Sequence, residues 1–298
     1  MASIDKVRII VVGDSGVGKT SLTHLICQNE PITRPSWTVG CSVDVKLHEY
    51  KEGLPQQKTF FVELWDVGGS SRYRNTRSIF YNPVHGIILV HDLTNRKSQQ
   101  NLQKWLFEVL NHESSGKATK HFDDVDPEQF FGSNQVPILV VGTKLGMAEM
   151  NRVQRSVTFA DECGADEILL DCRQSNALAA GSTSAVKLTR FFDKVIESKI
   201  AASCSHAAVS CYVLAREKHP NIANHWLKTG QKKIVLKSVN GVNELERIYE
   251  RARQENLTTV LIRDMGKTQV APGSVTALGI GPGIAKDIHK IVSDFKLL

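Results

Sequence analysis

Gly13-Asp14-Ser15-Gly16-Val17-Gly18-Lys19-Thr20 follows Val7–Val12, a short apolar run rich in β-branched residues. Such a run ending in glycines reads as a buried strand that feeds a loop, and Thr20 opens a stretch with helical pattern. The octet fits G-x-x-x-x-G-K-[ST] in the strand-to-helix context which that motif requires. Its glycines let backbone N–H groups turn toward phosphate oxygens, and the helix N-terminus adds a favourable dipole. Lys19 supplies a positive charge, while Thr20, followed by Ser21, brings a hydroxyl suited to Mg²⁺.

Outward from this loop, residues 41–50 and 59–66 alternate in polarity around a Glu52–Gly53 turn and predict a hairpin. Apolar runs at 86–90, 136–141 and 168–170 are separated by segments long enough for helices. The pattern predicts a mostly parallel α/β sheet of six strands covered by helices. Residues 111–135 carry several acidic residues without a clear period and read as an insertion loop. From Ser182 to Lys218 the pattern is helical without Pro or Gly. Strands are then expected at 232–237, 257–263 and 274–280, with helices at 243–254 and 284–295.

The formal charge of +6 over 298 residues is unevenly divided. Residues 1–198 hold 22 basic against 23 acidic side chains, whereas residues 199–298 hold 15 against 8. The last third therefore suits a polyanionic partner, with a solvated basic surface as the alternative. No apolar run approaches the roughly 18 residues needed to cross a bilayer. The first residues lack a signal-peptide pattern and the last lack a prenylation Cys, so a cytoplasmic setting is expected. The six cysteines have no C-x-x-C spacing, which suits reduced thiols better than zinc or disulfides.

Residues 1–198 resemble the Rab and Ras class of small GTPases. Thr38, within Pro35–Val45 (PSWTVGCSVDV), stands where that family keeps the switch threonine. Asp66-Val67-Gly68-Gly69 matches D-x-x-G. The resemblance implies GTP and GDP with Mg²⁺ as ligands, Thr20 and Thr38 as metal ligands, Asp66 on the metal's water shell, and the Gly69 amide on the γ-phosphate. Protein effectors are also implied. Where the family has a water-orienting Gln, Ser70 stands, so slow hydrolysis is expected. The base-reading N-K-x-D motif appears as Thr143-Lys144-Leu145-Gly146, with no carboxylate at 146 to accept from guanine N1 and N2. Asp171-Cys172-Arg173-Gln174 replaces the usual Ser-Ala-Lys loop.

In the basic third, Lys199, Ser203 and His206 recur at helical spacing, and Asp264-Met265-Gly266-Lys267-Thr268-Gln269 gathers polar groups between two predicted strands. A packed helix and a plain polar turn would read the same way. Lys199–Ser210 (KIAASCSHAAVS), Arg263–Ser274 (RDMGKTQVAPGS) and Thr276–Gly283 (TALGIGPG) are similar to the type-2 peptidyl-tRNA hydrolase family. That resemblance implies an α/β module over 199–298 that hydrolyses the ester between peptide and tRNA, with Lys199, Asp264 and Thr268 catalytic. His206, Lys232, Lys233, Lys267 and Gln269 are candidate tRNA contacts. Lys228, Lys237, Arg247, Arg251 and Arg253 add possible phosphate partners. The family begins with an apolar strand that this chain replaces with Phe191–Ser198 (FFDKVIES), so the module is expected to lack its first strand. Both families are compatible with a homodimer. A regulatory scaffold with an inactive or merely tRNA-binding C-terminal part is the competing expectation.

Overall fold

The computed structural model describes residues 5–54, 57–111, 136–148, 158–238, 241–263 and 275–298. The chain divides into two compact units, Asp5–Ser198 and Lys199–Leu298.

In the first unit, strands β1 (Lys6–Val12), β2 (Cys41–Tyr50), β3 (Lys58–Val67), β4 (Gly86–Asp92), β5 (Ile138–Thr143) and β6 (Asp166–Leu169) form one sheet in the order β2-β3-β1-β4-β5-β6. Only the β2–β3 pair is antiparallel. The expected hairpin and apolar runs thus become a single six-stranded sheet. Val7, Ile9, Val11, Ile87 and Leu89 are fully buried, as expected for central parallel strands covered on both faces. Helix α1 (Lys19–Gln28) follows the phosphate loop. Short helices α2 (Arg74–Arg77) and α3 (Arg96–Gln100) precede α4 (Leu102–Leu110).

Leu102, Trp105, Leu106 and Val109 recur at three- and four-residue spacing along α4 and pack with Ile10, Val12, Ile87 and Leu89. Each such side chain contributes roughly 1.5–3 kcal/mol when fully buried. Helix α5 (Phe159–Glu162) is capped by a reciprocal Thr158–Asp161 box. The long α6 (Thr183–Lys218) brings Phe191 and Val195 against Gly86, where an added Cβ would collide with Val195. The loops after β1, β3, β4, β5 and β6 leave the carboxyl ends of parallel strands, where open α/β sheets place their ligands.

The second unit contains the C-terminal part of α6, then α7 (Pro220–Lys228), α8 (Val242–Gln254) and α9 (Ala285–Val292). Its strands are β7 (Leu236–Lys237), β8 (Thr259–Arg263), β9 (Val275–Ile280) and β10 (Lys296–Leu297). They form two separate antiparallel pairs, β7–β10 and β8–β9. The strand expected over 232–237 is only two residues long, and the closing helix stops at Val292 so that the chain can return to pair with β7. A small core of Ile248, Ala252 and Ile291, flanked by Leu257, Leu278 and Phe295, holds α8 and α9 together.

Candidate functional site

The phosphate loop is held from three directions. Gly13 has φ +153°, and a Cβ there would strike the Val90 carbonyl oxygen, so only glycine lets β1 turn past β4. The Lys19 ammonium folds back over the loop and donates to the carbonyl oxygens of Gly13 (2.9 Å) and Asp14 (2.8 Å). Burial pushes its pKa down to about 8, against the opposing influence of Asp66. The Asp14 carboxylate accepts from Asn101 Nδ2 at 2.7 Å and Trp105 Nε1 at 2.8 Å, which ties the loop to α4. Asp14 therefore holds the loop through its side chain, while Ser15 and Gly16 are exposed and Val17 is buried.

Three oxygen-bearing side chains converge beside Lys19. Thr20 Oγ1 lies 3.0 Å from Thr38 Oγ1, and both donate to Asp66 Oδ2, at 2.5 and 3.0 Å. Asp66 is fully buried, and its other oxygen, Oδ1, has no hydrogen-bond partner among the described residues. A buried orphan acceptor beside two hydroxyls is a hard oxygen donor set that fits Mg²⁺. Gly69 sits so close to the loop that a Cβ would lie 2.5 Å from the Gly13 carbonyl oxygen and 2.6 Å from the Ser15 nitrogen. Ser70, in extended conformation, precedes a short turn over Ser71–Tyr73 without a side-chain cap bond to it.

Two further loops complete this edge. Thr143 Oγ1 donates to the Val17 carbonyl (2.5 Å) and contacts the His91 carbonyl (3.1 Å), which clamps the 143–146 loop to the phosphate loop. Lys144, in left-handed conformation at φ +60°, extends to Asp92 Oδ2 at 2.6 Å. The Leu145 amide donates to the Leu170 carbonyl and so joins the 143–146 loop to the one after β6. There Asp171, buried, is gripped by Arg173 through Nε to Oδ1 (3.0 Å) and Nη2 to Oδ2 (2.7 Å).

In the second unit, Lys199 is half-buried and His206 exposed on α6. His206 lines a cleft of about 400 Å³ with Ser205, Val209, Ser210 and the β8 residues Val260–Arg263. Lys232 and Lys233 are exposed in the turn after α7. Trp226 anchors that turn, its Nε1 donating to the Lys232 carbonyl at 3.0 Å while Lys233 lies 5.2 Å above its ring. Asp264, Lys267, Thr268 and Gln269 lie outside the described residues, as does the expected insertion loop beyond Asn111.

Comparison with known proteins accounts for both units. Residues 8–120 match the family model described as Ras of Complex, Roc, domain of DAPkinase. Rab-like protein 3 of Xenopus laevis is 56% identical over 208 residues, covering 67% of this chain and 88% of the relative. The chain belongs to the Rab-like protein 3 family. The human Rab-like protein 3 is 53% identical over 209 residues, with the same shares of both chains covered. The Arabidopsis thaliana protein named small GTPase LIP1 is 45% identical over 153 residues, covering 48% of this chain and 42% of that one. Residues 192–298 match the family model peptidyl-tRNA hydrolase PTH2. That match begins seven residues before Lys199, within α6, so its first residues are helical rather than a strand.

The Rab-like unit thus brings Gly13, Lys19, Thr20, Thr38, Asp66, Gly69 and Thr143 to one edge of the sheet. Sequence reading missed two features there and one helix, α7, in the second unit. The Asp14 tether to Asn101 and Trp105 joins residues 87 and 91 positions apart, beyond any local pattern. The same holds for Arg77, buried under Trp105 at 4.3 Å and paired with Glu108 at 3.0 Å. Helix α7 did carry a local signal, because Pro220 stands at its first position, where its missing N–H costs nothing.

Proposed function

We propose that the first unit binds GDP and GTP with Mg²⁺ and that the second hydrolyses peptidyl-tRNA in a cytoplasmic setting. The observation that carries the first part is the meeting of Thr20, Thr38 and Asp66 at the phosphate loop. Thr20 and Thr38 would hold the metal directly and Asp66 through water, while Gly13–Ser21 and the Gly69 amide bind phosphate oxygens. Bound Mg²⁺ would neutralise phosphate charge. Since Ser70 replaces the usual glutamine, hydrolysis is slow and the nucleotide state persists. Equilibrium titration with GDP tests this: Thr20→Ala is expected to abolish most of the Mg²⁺ dependence of affinity, and an unchanged Mg²⁺ dependence contradicts it.

For the second unit, the match over residues 192–298 and the His206 cleft support hydrolysis. In this reading Asp264 takes a proton from water, whose oxygen attacks the ester carbonyl. The Lys199 ammonium stabilises the resulting oxyanion and Thr268 orients the water. The bond to the ribose oxygen then breaks and that oxygen takes up the proton. The basic side chains from Lys228 to Arg253 contact tRNA phosphates, so binding weakens steeply with salt. Purified chain should release peptide from peptidyl-tRNA, and Lys199→Ala should lower kcat by about 100-fold or more. Among the described residues the strands divide into two short pairs, which favours a second reading, a nucleotide-regulated scaffold that binds tRNA and protein effectors without turnover. Equal, negligible turnover by wild type and Lys199→Ala selects it.

A further inference from the structure

The glycine at 146 removes the carboxylate with which the small GTPases read guanine, yet the space it leaves is filled. A Cβ built on Gly146 would lie 2.6 Å from Asp171 Oδ2. By covalent geometry an aspartate's own oxygen lies about 2.4 Å from its Cβ. One oxygen of the Asp171 carboxylate therefore lies about as far from that Cβ as an oxygen of a residue-146 aspartate would. We propose that Asp171, supplied by the loop after β6, is the residue that reads the base, accepting hydrogen bonds from guanine N1–H and N2–H.

The placement is built into two loops. The Leu145 amide donates to the Leu170 carbonyl, and the Leu170 amide to the Gly142 carbonyl, which fixes residues 146 and 171 side by side. The Arg173 amide donates to Asp171 Oδ1 at 3.0 Å, so backbone as well as side chain aims the carboxylate. Arg173 and, to a smaller extent, the Gly146 amide hold the carboxyl below the usual carboxylate range, which keeps it an acceptor. The Arg173 side chain is 64% exposed, so its guanidinium can yield to an arriving base while the backbone contacts remain. Adenine offers an acceptor at N1 and no amino group at C2, and a carboxylate rejects that edge. This inference rests on the nucleotide-binding reading and adds its specificity.

Equilibrium titration of the full chain with GDP, ADP and xanthosine diphosphate tests it. Wild type should prefer GDP over ADP by at least about 10-fold, the value of one charge-assisted hydrogen bond. Asp171→Asn turns an acceptor into a donor. It should lose about 10- to 100-fold in GDP affinity, leave ADP affinity unchanged, and gain xanthosine diphosphate, whose C2 carbonyl accepts from the amide. The ADP control separates loss of base reading from loss of fold. A second pair guards against a merely structural role: Asp171→Ala should lose GDP preference, and adding Gly146→Asp should restore it, since Gly146 is not among the residues held at positive φ. Equal GDP and ADP affinities in wild type, or a GDP preference that survives both Asp171→Asn and Asp171→Ala, overturn this inference alone. Failure of wild type to bind any diphosphate overturns the nucleotide reading as well.

Discussion

The two units spend their apolar residues differently. In the Rab-like unit the runs at β1, β4 and β5 become adjacent strands whose side chains are almost all buried. In the PTH2-like unit, among the described residues, β8 and β9 pair only with each other, and most of their residues are half-buried. A two-stranded pair is marginal by itself and depends on what packs over it. The lesson is that a matched motif and a deep core are separate properties, and activity needs the first held in place by the second.

Core truncation should sharpen this contrast most. Leu89→Ala, at a fully buried position in β4, is expected to cost about 3–5 kcal/mol in urea unfolding, and Ile291→Ala, at the edge of the small α8–α9 core, nearer 2 kcal/mol. Equal costs would break the comparison. Hydrogen exchange read by mass spectrometry should show the next largest difference. Amides of β4 are expected to exchange on the order of 100-fold more slowly than those of β8 and β9. Similar protection in both would mean that the second unit has a firmer frame than its paired strands suggest.

The smallest effect concerns the phosphate loop itself. Burial holds Lys19 down at about 8 in the free protein, and a phosphate anion arriving beside it supplies counter-charge that raises the value. The liganded state then keeps a proton that the free state loses, so affinity is full below pH 8. Above that it should fall, by at most about tenfold per pH unit, until the raised value is passed. GDP titrations between pH 7 and 9.5 check this, and a flat profile contradicts it.

Much of the first unit is legible in its sequence because its signals are local. The run Val7–Val12, the glycine loop and the 41–66 hairpin each declare themselves within a dozen residues. The site is legible where a motif names it, as at Lys19, Thr20, Thr38 and Asp66. It is opaque where two loops cooperate. Nothing near Gly146 announces that Asp171 lies beside it, and nothing near Asp14 points to α4. The two-residue strands β7 and β10 carry no period at all, so their pairing depends wholly on where α9 ends. Pro220 is a different case, since the residue that breaks the helical pattern also starts a new helix.

The bond from Trp105 to Asp14 gives the phosphate loop an optical consequence. The indole N–H donates to a loop carboxylate while its ring lies beside the Arg77 guanidinium. Any rearrangement of Asp14 on nucleotide loading changes the charge at one end of this chromophore. Loading and release should therefore alter tryptophan emission, and the Trp105→Phe variant should lose that share of the change, leaving whatever Trp37 and Trp65, next to Thr38 and Asp66, contribute.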